Sequence, residues 1–323
     1  MKTERAISIA TRGSALALAQ ANAILDQCRK AFPKLSFELN IVKTTGDKFQ
    51  TASLALEGQS LPKGLFTKEL EVALLEGKAD LAVHSLKDLP TELPAGLELG
   101  AVAKRADARD VLVYRDANFV KSRTNHKDAG PQLPGDAVVA SSSTRRRAQL
   151  LMHNPGIKII EIRGNVLTRM IKLAENPELD ATVLALAGIT RLNFRITPEG
   201  RMVGDEVPDG LLAVILETEV MLPCVGQGAI GIEVRTGDAR TGAICEQLNH
   251  IETLQCVTAE RAFLAAMGGG CQSPVAAYAE NIANQLWMRA ISFANGPVRR
   301  SDAKRPLTEA VQLGQQIAAE LRR

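Results

Sequence analysis

Apolar residues along this chain recur in two alternating rhythms. Short runs rich in aliphatic residues, at 6–10, 37–42, 80–83, 111–114 and 157–162, have the length and composition of strands. Between them the spacing lengthens to that of a helix. Over 66–76, Phe66, Leu70, Ala73 and Leu74 share one face while Lys68, Glu69 and Glu71 lie elsewhere, which predicts an amphipathic helix against a sheet. A second helix is predicted over 15–28, and a third period occupies 259–267. Near the end, 286–293 alternates like a strand and 307–321 is helical. Strands alternating with helices predict α/β layers with substantial parallel pairing. Two stretches, 44–63 and 115–136, hold glycine, proline and polar residues without a sustained period, so they predict long loops, the first with the length of a lid.

With 323 residues and 46% hydrophobic content, the chain is too long for one ordinary core and suits two or three domains of roughly 100 residues each. A formal charge of +3 and only 3% aromatic residues argue against a nucleic-acid face, which needs a broad cationic surface and stacking platforms. Five cysteines form no C-x-x-C pair, and four histidines lie far apart, so neither a disulfide framework nor a metal site is expected. Residues 1–5 lead straight into a strand without an apolar signal region, and no run has membrane-spanning length. The expectation is a soluble cytoplasmic protein.

The positive charge is concentrated where strands end. Thr11-Arg12-Gly13-Ser14 follows the opening strand and precedes a helix, a place where free N–H groups and the helix dipole favour an anion. Ser14 also suits a plain helix N-cap, which leaves Arg12 unexplained. His84-Ser85-Leu86-Lys87-Asp88 follows a buried strand and puts a hydroxyl, an ammonium and a carboxylate at the crevice end of an open sheet. Lys87 and Asp88 could equally form a solvated pair. Ser141-Ser142-Ser143-Thr144-Arg145-Arg146-Arg147 runs from a strand into a helix start, and guanidinium forks match carboxylates. Arg163 ends another strand, with Arg169 six residues on and Arg191 after the strand-like 182–186. A ligand with several carboxylates accounts for so many arginines, whereas a single phosphate does not need them.

One thiol stands apart. Cys271 follows Gly268-Gly269-Gly270, and a glycine run lets a loop tip present a side chain to a bulky group. The alternative is a cysteine that merely ends a helix, since Gly268 suits a C-cap after 259–267.

Taken in order, the strings Lys63-Gly64-Leu65-Phe66, Val83-His84-Ser85-x-Lys87-Asp88-x-Pro90, Ser142-Ser143-x-Arg145-Arg146, Arg163-Gly164-Asn165, Val225-Gly226-Gln227-Gly228-Ala229 and Gly269-Gly270-Cys271-x-x-Pro274 resemble the porphobilinogen deaminase (hydroxymethylbilane synthase) family. Together with the Arg12 segment they span most of the chain. The resemblance implies head-to-tail condensation of four porphobilinogen molecules into hydroxymethylbilane with loss of four ammonias. It further implies a dipyrromethane cofactor in thioether linkage to Cys271, with no metal. By the same resemblance Asp88 is the catalytic carboxylate, and Ser85, Lys87, Ser141, Ser143, Arg145 and Arg146 hold the cofactor. Arg12, Ser14, Phe66, Arg163, Arg169 and Arg191 then serve the incoming substrate and the growing chain.

The family fold implies three α/β domains, the first two like the hinged halves of a periplasmic binding protein and the third a small α+β unit carrying the cysteine loop. Carried over here, these are 1–104 with 226–246, 105–225, and 247–323, in a monomer. Gly13 stands where the family often has glutamine, and the 44–63 lid is longer than usual. Two other classes remain to weigh. A non-catalytic binder of small polycarboxylates would share the arginine cleft but needs neither Asp88 nor the Gly-Gly-Cys loop, and an RNA-binding protein is disfavoured by charge and aromatic content.

Overall fold

The computed structural model describes residues 5–46, 64–120, 133–270, 273–294 and 296–322. The greater part of the expected lid, the middle of the 115–136 loop and Cys271 itself lie outside the described residues.

Three sheets organise the chain. The first is built from β1 (Ile7–Arg12), β2 (Phe37–Val42), β3 (Leu81–Ser85), β4 (Leu97–Val102) and a late strand, β12 (Ile230–Arg235), in the order β2-β1-β3-β12-β4. The second holds β5 (Asp110–Tyr114), β6 (Val138–Ala140), β7 (Lys158–Ile160), β8 (Ala181–Ala185) and β11 (Leu212–Leu216), in the order β11-β5-β8-β6-β7. Read in reverse, the second sheet repeats the first. In each, four strands run in one direction and one, β12 or β5, runs against them between the parallel trio and the edge strand. The antiparallel neighbour of β3 comes from late in the chain, whereas its counterpart β5 precedes the other strands of its own sheet. The chain therefore passes between the sheets twice, through 103–109 and 217–229.

Helices cover the sheets as the sequence pattern requires. Helix α1 (Ala15–Ala31) buries Ala17, Gln20, Ala21, Ile24, Leu25 and Cys28, a spacing of three and four residues that lays one stripe on the first sheet. Its apolar members meet Ile7, Ile9, Leu81 and Val83. Helix α2 (Lys68–Leu75) begins two residues later than the periodicity predicts, with Thr67 at its N-cap position. In the second half, α3 (Thr144–His153), α4 (Val166–Glu175) and α5 (Leu186–Arg191) each start where a strand has just ended. A small hairpin, β9 (Arg195–Ile196) with β10 (Met202–Val203), and helix α6 (Ala239–Leu248) complete the two halves.

The third sheet is an antiparallel meander of β13 (Val275–Ile282), β14 (Gln285–Ser292) and β15 (Arg299–Pro306). It is covered by α7 (Ile251–Ala266) and α8 (Ala310–Arg322), whose Phe263, Leu313 and Ile317 are fully buried against Leu286 and Met288. Helix α7 starts eight residues before the predicted period, capped by the His250 side chain, which accepts from Thr253 N. It ends at Gly268, in the left-handed region at φ +68°, as a C-cap should.

Where the chain recrosses, tight turns are forced by close approach. Gly226 has φ +71°, and a Cβ there would lie 3.1 Å from the Lys87 nitrogen. Gly228 has φ +83°, with a would-be Cβ 2.5 Å from the Ala106 carbonyl oxygen, so both positions exclude larger residues. A buried carboxylate fixes this junction. Glu260 on α7 accepts two hydrogen bonds from the Arg105 guanidinium at 2.6 and 3.1 Å, one from Gly226 N at 2.8 Å and one from Ala279 N at 2.9 Å. One side chain thus ties a crossing segment, the recrossing turn and the third sheet together.

Glu260→Gln should lower global stability by about 3–5 kcal/mol, because it leaves the Arg105 guanidinium buried without its counter-charge. Urea unfolding measures this, and a loss below about 1 kcal/mol, the value of an exposed pair, would show that Glu260 is not a structural tie.

Candidate functional site

The carboxyl ends of the parallel strands of both sheets carry the chemistry, and each side chain is set there by its strand-to-helix junction. At the end of β1, Ser14 caps α1 by accepting from Ala17 N at 3.3 Å, so its helix-cap role is realised. Arg12 lies with its guanidinium carbon 4.2 Å from the centroid of the Phe66 ring, a cation–π contact that holds the charge at the crevice. At the end of β3, Leu86–Asp88 turns as a short 3-10 helix, placing Lys87 and Asp88 half-buried on the same side of the sheet. Ser85 is fixed from below by Gln20, whose Nε2 donates to its Oγ at 2.9 Å. Arg12, Ser14, Phe66, Ser85 and Asp88 line one small cavity of about 70 Å³.

The second sheet supplies the opposing wall. Ser143 caps α3 by accepting from Arg146 N, and Ser141, buried, accepts from Ser143 N at 3.3 Å. The hydroxyls thereby organise the turn that launches Arg145 and Arg146. Both guanidiniums are buried and converge on Asp110. Arg145 Nη1 donates to Asp110 Oδ2 and Arg146 Nη2 to Asp110 Oδ1, each at 2.7 Å. Gln227 Nε2 adds a third donor to that carboxylate at 3.0 Å. At the end of β7, Arg163 is exposed, 3.8 Å from Glu161. Arg169 reaches back from α4, its Nε donating to the Gly164 carbonyl at 2.8 Å.

A cavity of about 490 Å³ lies between the walls, lined by Lys87, Asp88, Ser143, Arg145, Arg146, Arg163 and Arg169 among others. Gly270 and Ser273, which flank the undescribed pair 271–272, line it too. The volume suits a ligand of drug-like size. Arg191 is not among the residues lining either cavity; its Nη2 donates to the Gly228 carbonyl at 2.6 Å, on the recrossing turn.

Cation exceeds anion along the larger cavity. Burial alone would raise the Asp110 carboxyl, but Arg145 and Arg146 outweigh it and hold the group down to about 2. One carboxylate thus serves two guanidiniums, and the Nε of each arginine is buried without a partner among the described residues. Arg169 is pushed down to about 10, chiefly by burial and then by the nearby Arg146 charge, with Asp88 opposing. It stays protonated at neutral pH and is under-compensated. Burial likewise brings Arg191 to about 10. A carboxylate-rich ligand would relieve these costs. Among the described residues no group of three or more His, Cys, Asp or Glu is placed to hold a metal ion, and no helix is long and apolar enough to cross a membrane.

The structure adds residues that the motifs did not announce. Asp110 is a carboxylate at the head of the buried strand Asp110-Val111-Leu112-Val113, where a charged residue demands a partner. Gln227 was visible only within a string. Its side chain reaches Asp110 and Ala108 while its carbonyl accepts from Arg105 Nε at 2.8 Å. Cys224, half-buried, lines the larger cavity. By contrast Cys28, Cys245 and Cys256 are buried, and burial pushes their thiols up to about 11, 12 and 12.

Sequence models of known families match almost the whole chain. That of the porphobilinogen deaminase dipyromethane cofactor binding domain matches residues 7–243, and that of the porphobilinogen deaminase C-terminal domain matches 254–323. Solved structures with some likeness include a mutant of Corynebacterium glutamicum OxyR, at 17% identity over 83% of this chain and 68% of that one, with a TM-score of 0.41. The BenM effector binding domain with its effector benzoate is 18% identical over 76% of this chain and 91% of its own, also at 0.41. The B. pertussis BvgS periplasmic domain is 16% identical over 75% of this chain, which spans only 39% of that protein, at 0.37. The family rests on the sequence models and not on these.

The Asp110 cluster makes a pH signature. Its carboxyl lies near 2 in the fold against roughly 3.9 in an unfolded chain, so its contribution is complete above pH ~4 and fades as pH falls toward ~2. Stability measured against pH should therefore drop more steeply over that window in the wild type than in Asp110→Asn, which is expected to be less stable at neutral pH. Parallel acid limbs for the two proteins would contradict the assignment.

Proposed function

We propose, on the premise that the chain belongs to the porphobilinogen deaminase family, that the cavity between the two sheets is where pyrrole units are joined, with Asp88 as the catalytic carboxylate. The reaction condenses four porphobilinogen molecules head to tail into hydroxymethylbilane and releases four ammonias, using a dipyrromethane cofactor. The observation that carries the site assignment is the excess of buried guanidinium over carboxylate along the cavity. Each porphobilinogen brings an acetate and a propionate, so every addition supplies the anions this wall lacks.

The bound dipyrromethane supplies the nucleophilic pyrrole carbon and the root of the chain. Arg145 and Arg146, which line the cavity, hold its carboxylates in this reading, and Ser85, Lys87, Ser141 and Ser143 join them as cofactor holders. Cys271 is the proposed attachment point, and the flanking Gly270 and Ser273 line the same cavity. Arg12, Ser14, Phe66, Arg163 and Arg169 are assigned to the incoming substrate and the elongating chain. Arg191 shares that role in the proposal, acting from the recrossing turn to which it is bonded.

Asp88 has a task that follows from charge. Loss of ammonia from the aminomethyl arm of porphobilinogen leaves a cationic methylenepyrrolenine, and a carboxylate accepting the pyrrole N–H stabilises that cation. The same oxygens can hold the proton exchanged at each coupling. Lys87 and the arginines outnumber the described carboxylates along the cavity, Asp88 and the exposed Glu161, so the cation forms in a site otherwise built for anions, and Asp88 offsets part of that field. The chain divides, in this reading, into 1–104 with 226–246, 105–225 and 247–323, one sheet to each. It acts as a cytoplasmic monomer that feeds haem and related tetrapyrrole synthesis.

Intact mass tests the assignment. Purified protein should exceed its sequence mass by one dipyrromethane, and Cys271→Ser should lose both that mass and turnover. Removing a charged hydrogen bond costs about 1.5–3 kcal/mol, so Arg146→Leu should purify largely without cofactor. Arg169→Leu should carry the cofactor and stall with partly extended chains after brief exposure to porphobilinogen. A dipyrrole on active Cys271→Ser would overturn the attachment point, and a full load on Arg146→Leu would overturn the division of arginine roles.

A further inference from the structure

Helix α7 does more than cover the third sheet, because it grips the turn that carries Asp88. Arg261, half-buried on α7, donates to three successive carbonyls: Nη1 to Leu89 O at 3.1 Å, and Nη2 to Pro90 O at 2.6 Å and Thr91 O at 3.3 Å. These carbonyls belong to the irregular connection between the Asp88 turn and β4, where no strand ladder engages them. A planar fork with several donors can gather a run of such acceptors, which an ammonium cannot do equally well.

The grip is reinforced on both sides. Val257, one helical turn before Arg261, packs with Leu86 and Leu89, the residues that bracket Lys87 and Asp88. Glu260, the neighbour of Arg261, holds Gly226 N, and Gly226 lies against the backbone of Leu86 and Lys87. Beyond Ala266 the same helix runs into Gly268-Gly269-Gly270, with Gly269 N still bonded to Leu264 O at 3.2 Å and Gly270 N to Ser273 Oγ at 3.0 Å. A single rigid element therefore touches the Asp88 turn and delivers the glycine loop to the cavity.

We propose that Arg261 is a positioning residue for the deaminase reaction: it fixes the Asp88 carboxylate relative to the root of the cofactor loop. The proposal rests on the reading of Asp88 and Cys271 given above. Its consequence is that the carboxylate and the Gly268–Gly270 stretch keep their separation while the second-sheet arginines hold successive carboxylates of a lengthening chain. Without the guanidinium the turn would keep its apolar seat under Leu86 and Leu89 yet lose the tether that sets the direction of Asp88.

The test uses holoenzyme, with turnover expressed per molecule that carries dipyrromethane by intact mass. Arg261→Met, which keeps the apolar stem, should load cofactor fully, lose about tenfold in kcat and hold KM within about twofold. Arg261→Lys should recover part of the loss, since an ammonium can still reach one carbonyl. The decisive readout is a cycle with Asp88→Asn. If Arg261 acts through Asp88, adding Arg261→Met to Asp88→Asn should cost little more, whereas a merely structural role would multiply the two losses. Unchanged kcat in loaded Arg261→Met, multiplicative losses, or Arg261→Lys behaving no better than Arg261→Met would overturn the proposal. Should Asp88→Asn alone turn over at the wild-type rate, it is the reading of Asp88 that fails, and the tether with it.

Discussion

A carboxylate shared by two guanidiniums can neutralise only one of them, and the site depends on that imbalance at Asp110. Arg145 and Arg146 are buried, and their common counter-ion is buried with them. Removing three charges from water is expensive, and short hydrogen bonds to both Asp110 oxygens and to the Leu222 and Val183 carbonyls offset part of that cost. What remains is a net positive wall held in fixed geometry. Such a wall is preorganised for carboxylates, because the charges need not be gathered when the ligand arrives.

The imbalance is coupled to the junction between the sheets through Gln227. Its side-chain amide donates to Asp110, and its carbonyl accepts from Arg105, which in turn is clamped by Glu260. Two buried ionic clusters thus meet at one residue on the recrossing turn. Among the described residues the backbone passes between the first two sheets through two crossing segments, 103–109 and 217–229. Polar contacts to backbone, such as Arg191 on Gly228, suit such a place better than a continuous apolar seam.

Much of this was legible in the sequence because it is local. Strand-to-helix junctions announce themselves through an apolar run, a hydroxyl cap and an arginine within a few positions, and Ser14, Ser143 and the residues after them stand as that grammar requires. The partners were not legible. Asp110 lies 35 residues from Arg145, Glu260 lies 155 from Arg105, and nothing in the spacing links them. Arginines read as free ligands for a polyanion therefore turned out to be half-spent on an internal carboxylate. The parallel core was foreseen, while the antiparallel strand β5, its edge partner β11 and the inserted, antiparallel β12 follow from long-range pairing that periodicity does not encode. Arg191 was read from its place after a strand, and tertiary contact instead bonds it to the recrossing turn.

In the proposed reaction Asp88 balances the cation formed at each coupling, in a cavity lined mainly by positive charge. Time-resolved mass spectrometry of Asp88→Asn holoenzyme mixed with porphobilinogen tests it most directly. The account predicts a full cofactor load and retained substrate binding, with every addition along the ladder slowed by roughly a hundredfold to a thousandfold, the usual effect of deleting one such electrostatic group. A ladder that advances within about threefold of the wild-type pace, where far less than 1.4 kcal/mol separates the barriers, would contradict it.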